Sequence, residues 1–319
     1  MVCSILLSIF TFVQLNCENF FDCVHDPQKQ DTEYTAESPR RWNSYKFWRK
    51  LRNISKELIA CSRENEDGIV VPPDLIALCE VENDTVLHYL TRRSQLRSLR
   101  YEYVMTHSPD VRGINVALMY SPMTFRLINS YPLRIKPLKK MRPTRDILYV
   151  SGEVISGDTL HVFVLHAPSR FSGKRPTIPY RMAVMQRLMQ SVDSIRALHP
   201  HPKIIISGDF NDESRDKSLQ YLAANGMTEI SAGIKGTHGA RGTYKYQGIW
   251  SSIDHILISG STLPLYRGCL LNDLPFLLEK DELYGEVKPF RTYYGYKHIG
   301  GFSDHLPLVA WFQLEPMEM

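Results

Sequence analysis

The stretch Gly208-Asp209-Phe210-Asn211 closes the β-branched run Lys203-Ile204-Ile205-Ile206 with small, polar and acidic residues. Such a run reads as a buried strand, so the chemistry of Asp209 and Asn211 stands where strand gives way to loop. Two residues apart in extended backbone, their side chains point to one side. A carboxylate there accepts a proton or meets a cation, and a carboxamide offers a donor to an oxyanion. The competing reading is a strand running into an Asx turn, which Asp and Asn favour by themselves. The same polar punctuation recurs along the chain. Asn16 closes the run 11–16, Glu80 closes 74–80, His166 follows 160–165, Asp254 precedes 256–258, and Asp304-His305 precedes 306–312. Carboxylates, amides and imidazoles gathered at strand ends suit proton transfer and the oxygen ligation of a hard cation.

The elements that must position these groups follow from periodicity. Phe47, Leu51, Ile54 and Leu58 recur at helical spacing and predict a helix over 46–64, and Met182, Met185, Leu188, Met189, Val192 and Ile195 predict another. Further helices are expected at 85–99 and 217–224. The near-continuous apolar run 74–80 reads as a central strand, 101–105 and 114–120 as a hairpin, and 147–155 and 160–165 as a further strand pair. Residues 22–46 form a polar loop that shapes a substrate rim, and the Gly-rich segment around Gly236 lacks the phosphate-cradling G-x-x-x-x-G-K-[ST] pattern. Periodicity alone gives an α/β protein.

Composition narrows the class. Among 319 residues, 43% are hydrophobic and 23% charged, which excludes disordered, collagen-like and coiled-coil chains, and the net charge of +4 allows an anionic partner without demanding one. The six cysteines include no Cys-x-x-Cys pair, so buried free thiols are expected rather than zinc or disulfides. Residues 1–10 read as a short leader or disordered start before one domain over 11–319. The leader lacks a basic n-region, which favours a cytoplasmic chain over an exported one, and no apolar run is long enough for an integral membrane span. No obligate protein partner is evident.

Six motifs in order, Leu15-Asn16-Cys17-Glu18-Asn19, Leu78-Cys79-Glu80, Leu165-His166-Ala167-Pro168, Gly208-Asp209-Phe210-Asn211, Ile253-Asp254-His255 and Ser303-Asp304-His305, resemble the endonuclease/exonuclease/phosphatase superfamily, which includes the deoxyribonuclease I-like and exonuclease III-like proteins. The resemblance runs from about Thr11 to Phe312. It implies a four-layer α/β sandwich: two mostly antiparallel mixed sheets packed face to face, with helices outside. It further implies phosphoester or phosphodiester hydrolysis with Mg²⁺ or Mn²⁺.

Carried onto these positions, the resemblance makes Asn16, Glu80 and Asp304 the metal ligands. Asp209 orients or deprotonates water, Asn211 donates to the phosphoryl oxygen, His305 contacts phosphate with its charge set by Asp254, and His166 is a second phosphate contact or the acid for the leaving group. Arg112 and Arg170 are the expected substrate contacts, because guanidinium matches phosphate bidentately. Lys136, Lys139, Lys140, Arg142 and Arg145 form a basic cluster that faces solvent or a polyanion. Arg291, Tyr293, Tyr294, Tyr296 and Lys297 lie in a loop suited to stacking and phosphate binding. The chain departs from deoxyribonuclease-like members at Met105-Thr106-His107-Ser108, where a carboxylate partner for the second histidine is absent, and from abasic-site nucleases at His166-Ala167-Pro168. The expected function is a nuclease-type phosphodiester hydrolase. A phosphatase, or a sphingomyelinase- or inositol-phosphate-type phosphoesterase, is the alternative. A non-catalytic binding module is disfavoured because no motif carboxylate or histidine is missing.

Overall fold

The computed structural model describes residues 8–64, 68–170 and 173–314. The expected leader, 1–10, falls mostly outside them. Strand β1 begins at Ser8 and runs to Phe20, several residues beyond both ends of the expected 11–16.

Two six-stranded sheets carry the fold. The first contains β1 (Ser8–Phe20), β2 (Leu75–Val81), β3 (Glu102–Met105), β4 (Asn115–Tyr120), β11 (Tyr266–Leu271) and β12 (Leu308–Leu314), in the order β11-β12-β1-β2-β4-β3. The second contains β5 (Phe125–Leu133), β6 (Ile147–Val154), β7 (Thr159–His166), β8 (Lys203–Asp209), β9 (Met227–Glu229) and β10 (Asp254–Ser259), in the order β9-β10-β8-β7-β6-β5. In each sheet one central pair is parallel, β1 with β2 and β7 with β8, and the other neighbours are antiparallel.

Alternation sorts the side chains into layers. Phe10, Phe12, Leu75, Ala77 and Cys79 of the first sheet meet Val162, Val164, Ile205, Ile256 and Ile258 of the second in the central core. The opposite faces are covered by helices. Helix α1 (Ser44–Ile59) and α2 (Asp84–Arg92) bury Leu51, Ile54, Leu87 and Leu90 against Val13, Leu15, Ile76 and Leu78. Helix α3 (Lys174–Leu198) and α4 (Lys217–Ala224) bury Met185, Leu188, Val192 and Leu222 against Phe163, Ile204, Ile206 and Leu257. Each such side chain contributes roughly 1.5–3 kcal/mol of burial. The expected four-layer sandwich is the observed one.

Boundaries differ where local capping intervenes. Helix α1 starts at Ser44 because the Asn43 side chain accepts from Lys46 N, and it stops at Ile59 rather than 64. The predicted helix 85–99 is divided into α2 and a 3₁₀ turn, because Ser94 Oγ accepts from Leu96 N and starts a new turn. Strands β5 and β11 were not expected. Both are edge strands with a largely open face, and Pro132 and Gly268 interrupt their alternation. Cys17, Cys61 and Cys79 are buried free thiols. No helix among the described residues is long and apolar enough to cross a membrane.

Candidate active site

The parallel pairs explain why the polar residues collect. Both strands of a parallel pair end at one edge of the sheet, and their antiparallel neighbours begin there. His166, Asp209 and Asp254 consequently form a cross-strand row, Asp209 opposite His166 on one side and Asp254 on the other. All three share the face of Val164, Ser207 and Ile256 that looks onto the first sheet. From that sheet Asn16 donates through Nδ2 to Asp209 Oδ2 at 3.1 Å, and Gln14 Nε2 lies 3.3 Å from Asp254 Oδ1. Gly208 permits this row. A Cβ there would stand 1.8 Å from the Leu165 carbonyl oxygen, and its φ of +149° disfavours other residues.

Glu80 reaches the same edge by breaking alternation. Regular pleating would turn it towards the helices with Ile76 and Leu78. Instead the register shifts between Cys79 and Val81, and Glu80 adopts φ +62°. Its Oε1 comes to 3.9 Å from His166 Nε2 in the opposite sheet, while Oε2 accepts from Asn19 N at 2.7 Å. Glu18, Asn19 and Asn211 also have positive φ, each +51°. Such backbone costs on the order of 1–3 kcal/mol per residue and concentrates where function fixes geometry.

Asp209 and Asn211 do not continue the extended alternation expected from their spacing. Strand β8 ends at Asp209, and Asn211 N donates to Asp209 Oδ1 at 2.8 Å, which is an Asx turn. The Asn211 carboxamide donates to Ala167 O at 3.1 Å, joining the turn to the His166 segment. Arg170, expected at the substrate, spends its guanidinium on Asn211 O, Asp212 and Asp216, so it holds this turn instead. Arg112 keeps 46% of its side chain exposed, 3.8 Å from Asp110 Oδ1.

The two histidines sit in opposite electrostatic settings. His305 Nδ1 lies 2.7 Å from Asp254 Oδ2. Burial opposes protonation of His305, but the Asp254 carboxylate outweighs it and raises the imidazole to about 10. Asp254 is held below the usual carboxylate range by the same pair, against the effect of burial. His166 is pushed well below its ordinary value by burial and by Arg145, and its Nε2 lies 3.4 Å from Asp209 Oδ2. Its Nδ1 is buried with no partner among the described residues, in keeping with the missing carboxylate at 105–108. Between the two imidazoles, Asp209 is raised to about 7, chiefly by burial and then by Asp254.

A cation has suitable ligands here. Glu80 Oε1 has no hydrogen-bond partner among the described residues, and the Asp209 and Asp254 carboxylates offer oxygen atoms within 4.8 Å of each other, while the neighbouring His305, protonated against Asp254, has no lone pair to give. Oxygen donors of this kind fit a hard divalent ion. Asn16 is more committed than expected, since its Oδ1 also accepts from Glu18 N at 3.0 Å. Asp304 Oδ2 is 2.8 Å from Arg291 Nη2.

Several supporting residues escaped the sequence reading. Lys50 is buried and donates to Thr292 Oγ1 at 2.7 Å and Phe302 O at 2.5 Å, and it lies 3.8 Å from Glu18. Ser303 donates to Asn16 O at 2.6 Å and accepts from His305 N, which ties the last motif to β1. Arg145, assigned to the basic cluster, is buried and donates to the carbonyls of His166 and Ala167. A lysine on the apolar stripe of α1 and a glutamine inside β1 were the available signals. The polar loop 22–46 has a buried anchor: Trp42 is buried and donates to Phe21 O and Asp22 O.

A four-layer α/β sandwich with carboxylates and histidines gathered at one edge of its paired sheets defines a metal-dependent phosphoesterase, an ester-bond hydrolase. The chain belongs to the Endonuclease/Exonuclease/phosphatase family, whose profile matches residues 11–314. Among solved structures it resembles a humanized D. rerio TDP2 (TM-score 0.59, 15% identity, covering 95% of this chain and 98% of that one). The human Nocturnin catalytic domain with bound sulfate is similar (TM-score 0.58, 18% identity, 96% of each chain). So is a Bacteroides thetaiotaomicron mannosyl-6-phosphatase (TM-score 0.60, 15% identity, 95% and 99%). At these identities the likeness speaks to the fold alone. No curated protein sequence matches the chain.

Proposed function

We propose that this chain is a divalent-cation-dependent phosphodiester hydrolase acting on nucleic acid. The observation that carries the reading is the placement of Asp209, raised to about 7, between a neutral His166 and a protonated His305. A base with that affinity is matched to neutral pH, and an imidazolium beside it stabilises charge on the phosphoryl oxygens or protonates the leaving alkoxide.

In this reading Glu80, together with Asn16 and Asp304, would hold Mg²⁺ or Mn²⁺, which when bound would supply a Lewis acid for the phosphate. Asp209 orients the attacking water and takes its proton, and Asn16 and Asn211 N keep its carboxylate in place. His305 presents Nε2 to the phosphate while Nδ1 stays on Asp254. His166 donates a hydrogen bond in its neutral form. Asn211 contributes the free hydrogen of its amide, and Arg112 meets phosphate at the rim.

Charge favours a diester over a monoester. Phosphate monoesters carry about −1.5 to −2 near pH 7, whereas a diester carries a single charge. Glu80, Asp209, Asp254 and Asp304 oppose the second negative charge. Nucleic acid is favoured by the exposed residues Lys136, Lys139, Lys140 and Arg142, which form no ion pair among the described residues and lie on the loop after β5, at the edge where β7 ends in His166. A panel of DNA, RNA, sphingomyelin, inositol phosphates and sugar monophosphates with Mg²⁺ or Mn²⁺ tests this. Turnover of oligonucleotides is expected, and turnover restricted to lipid or monoester substrates overturns it.

A further inference from the structure

Beside the catalytic edge a cavity of about 400 Å³ is lined by Tyr34, Tyr246, Tyr284, Tyr294, Arg291 and Asp304, among others. That volume lies within the range of small-molecule clefts, about 300–1,000 Å³. Resting on the nuclease reading, we infer that this cavity is a base-stacking subsite that receives an unpaired nucleobase next to the scissile phosphate, making the enzyme selective for single strands.

Three observations carry this. The first is exposed ring surface: Tyr246, Tyr284 and Tyr294 are 58%, 51% and 59% exposed, although all three border one concavity. Aromatic faces left open at a cleft are stacking platforms for bases, which offer a π-face only when unpaired.

The second is charge. The cations lining the cavity are already neutralised: Arg40 by Glu33 at 3.0 Å, Lys245 by Asp281 at 3.0 Å, and Arg291 by Asp304 at 2.8 Å. Lys288 lies within 4 Å of both Glu279 and Asp281. A cavity so compensated has little attraction for a second phosphate and suits a planar neutral heterocycle.

The third is a column of rings leading to the reacting edge. His305 and Tyr244 have ring centroids 4.9 Å apart, and Tyr244 and Tyr246 are nearly parallel, 8° between planes with centroids 6.5 Å apart. The backbones of Tyr244 and His305 also pair in a β-bridge. Tyr244–Tyr246 and Ile249–Ser251 pair as a hairpin whose turn packs closely on a neighbour, since a Cβ on Gly248 would meet the Tyr284 ring at 2.9 Å. The exposed Tyr246 ring therefore stands two rings from the imidazole that meets the phosphate.

The test separates binding from cleavage. Fluorescein-labelled oligo(dT) and an abasic deoxyribose-phosphate chain of equal length are titrated by anisotropy in EDTA, and their cleavage is followed separately in Mg²⁺. Oligo(dT) should bind about tenfold or more tighter than the abasic chain, the range expected for one stacked base. Tyr246→Ala should abolish that preference, Tyr246→Phe and His305→Ala should keep it, and duplex DNA should bind no better than the abasic chain. Equal binding of the two chains, or a preference untouched by Tyr246→Ala, overturns the subsite. Cleavage of both chains without base preference overturns the subsite and leaves the nuclease reading. A Tyr246-dependent preference with no cleavage in Mg²⁺ supports the subsite and overturns the nuclease reading.

Discussion

Asp254 lies directly across the strand pair from Asp209 and at the same time holds His305 Nδ1 at 2.7 Å, so one buried carboxylate acts on both partners, adding to the effect of burial on Asp209. It raises Asp209 by repulsion and His305 by attraction. Asp254→Asn removes both effects. The His305 imidazole should return towards its ordinary value of about 6.5. Loss of a positioned acid or base costs roughly 10²–10⁴-fold in rate. Histidine NMR titration and the pH profile of kcat check this. An unchanged His305 titration contradicts it.

Glu80→Gln addresses the cation. A ligand that binds only the folded chain stabilises it by about 2.7 kcal/mol at a hundredfold excess over Kd. Mg²⁺ or Mn²⁺ should therefore raise the Tm of the wild-type chain. The increase should be strongly reduced in Glu80→Gln, because Oε1 of Glu80 is the carboxylate oxygen left open at the edge. Equal increases in the two proteins contradict the assignment.

Lys50 holds the last motif from below. Lys50→Met leaves Phe302 O and Thr292 Oγ1 without this donor and Glu18 without its closest lysine. Removing one partner from a buried charged pair costs about 3–5 kcal/mol. Chemical denaturation should show a loss of that order. Because Phe302 precedes Ser303-Asp304-His305, kcat should fall as well, while the His305 titration stays with Asp254.

Glu57 gives stability a pH dependence independent of the reaction. It is buried, both carboxyl oxygens lack partners among the described residues, and burial raises it to about 8 against the pull of Lys50. The folded state then binds the proton more tightly than the unfolded state, whose carboxyl titrates near 4.5. Stability from this group is fully present below about 4.5 and falls as pH rises through about 8. Glu57→Gln should remove this fall and gain on the order of a few kcal/mol relative to wild type at pH 9, with no gain at pH 4. Denaturation at the two pH values decides it.

The outcome for Asp209 and Asn211 shows what the sequence could and could not reveal. A polar residue closing or opening an apolar run is a local signal, so the positions of Asp209 and Asp254 at strand ends were legible. Two-residue alternation did not hold two residues past the strand, where Asn211 enters an Asx turn with φ +51°. Glu80 stands at a strand end as its run suggests, but the bulge that turns it against regular pleating has no local pattern to announce it. Gln14, Lys50 and Arg145 were missed because their partners lie far away in the chain; Gln14 and Asp254 are 240 residues apart. Edge strands β5 and β11 escaped because an open face leaves little hydrophobic pattern to read.

The central claim is that Asp209 is the base of a cation-dependent phosphodiester hydrolase. The most direct test is turnover of a single-stranded oligonucleotide in Mg²⁺ by wild type and Asp209→Asn, with the cation-induced rise in Tm recorded for both. Wild-type cleavage should cease in EDTA, Asp209→Asn should lose roughly 10²-fold or more in rate, and its Tm response to the cation should be retained. Cleavage by Asp209→Asn at the wild-type rate contradicts the claim.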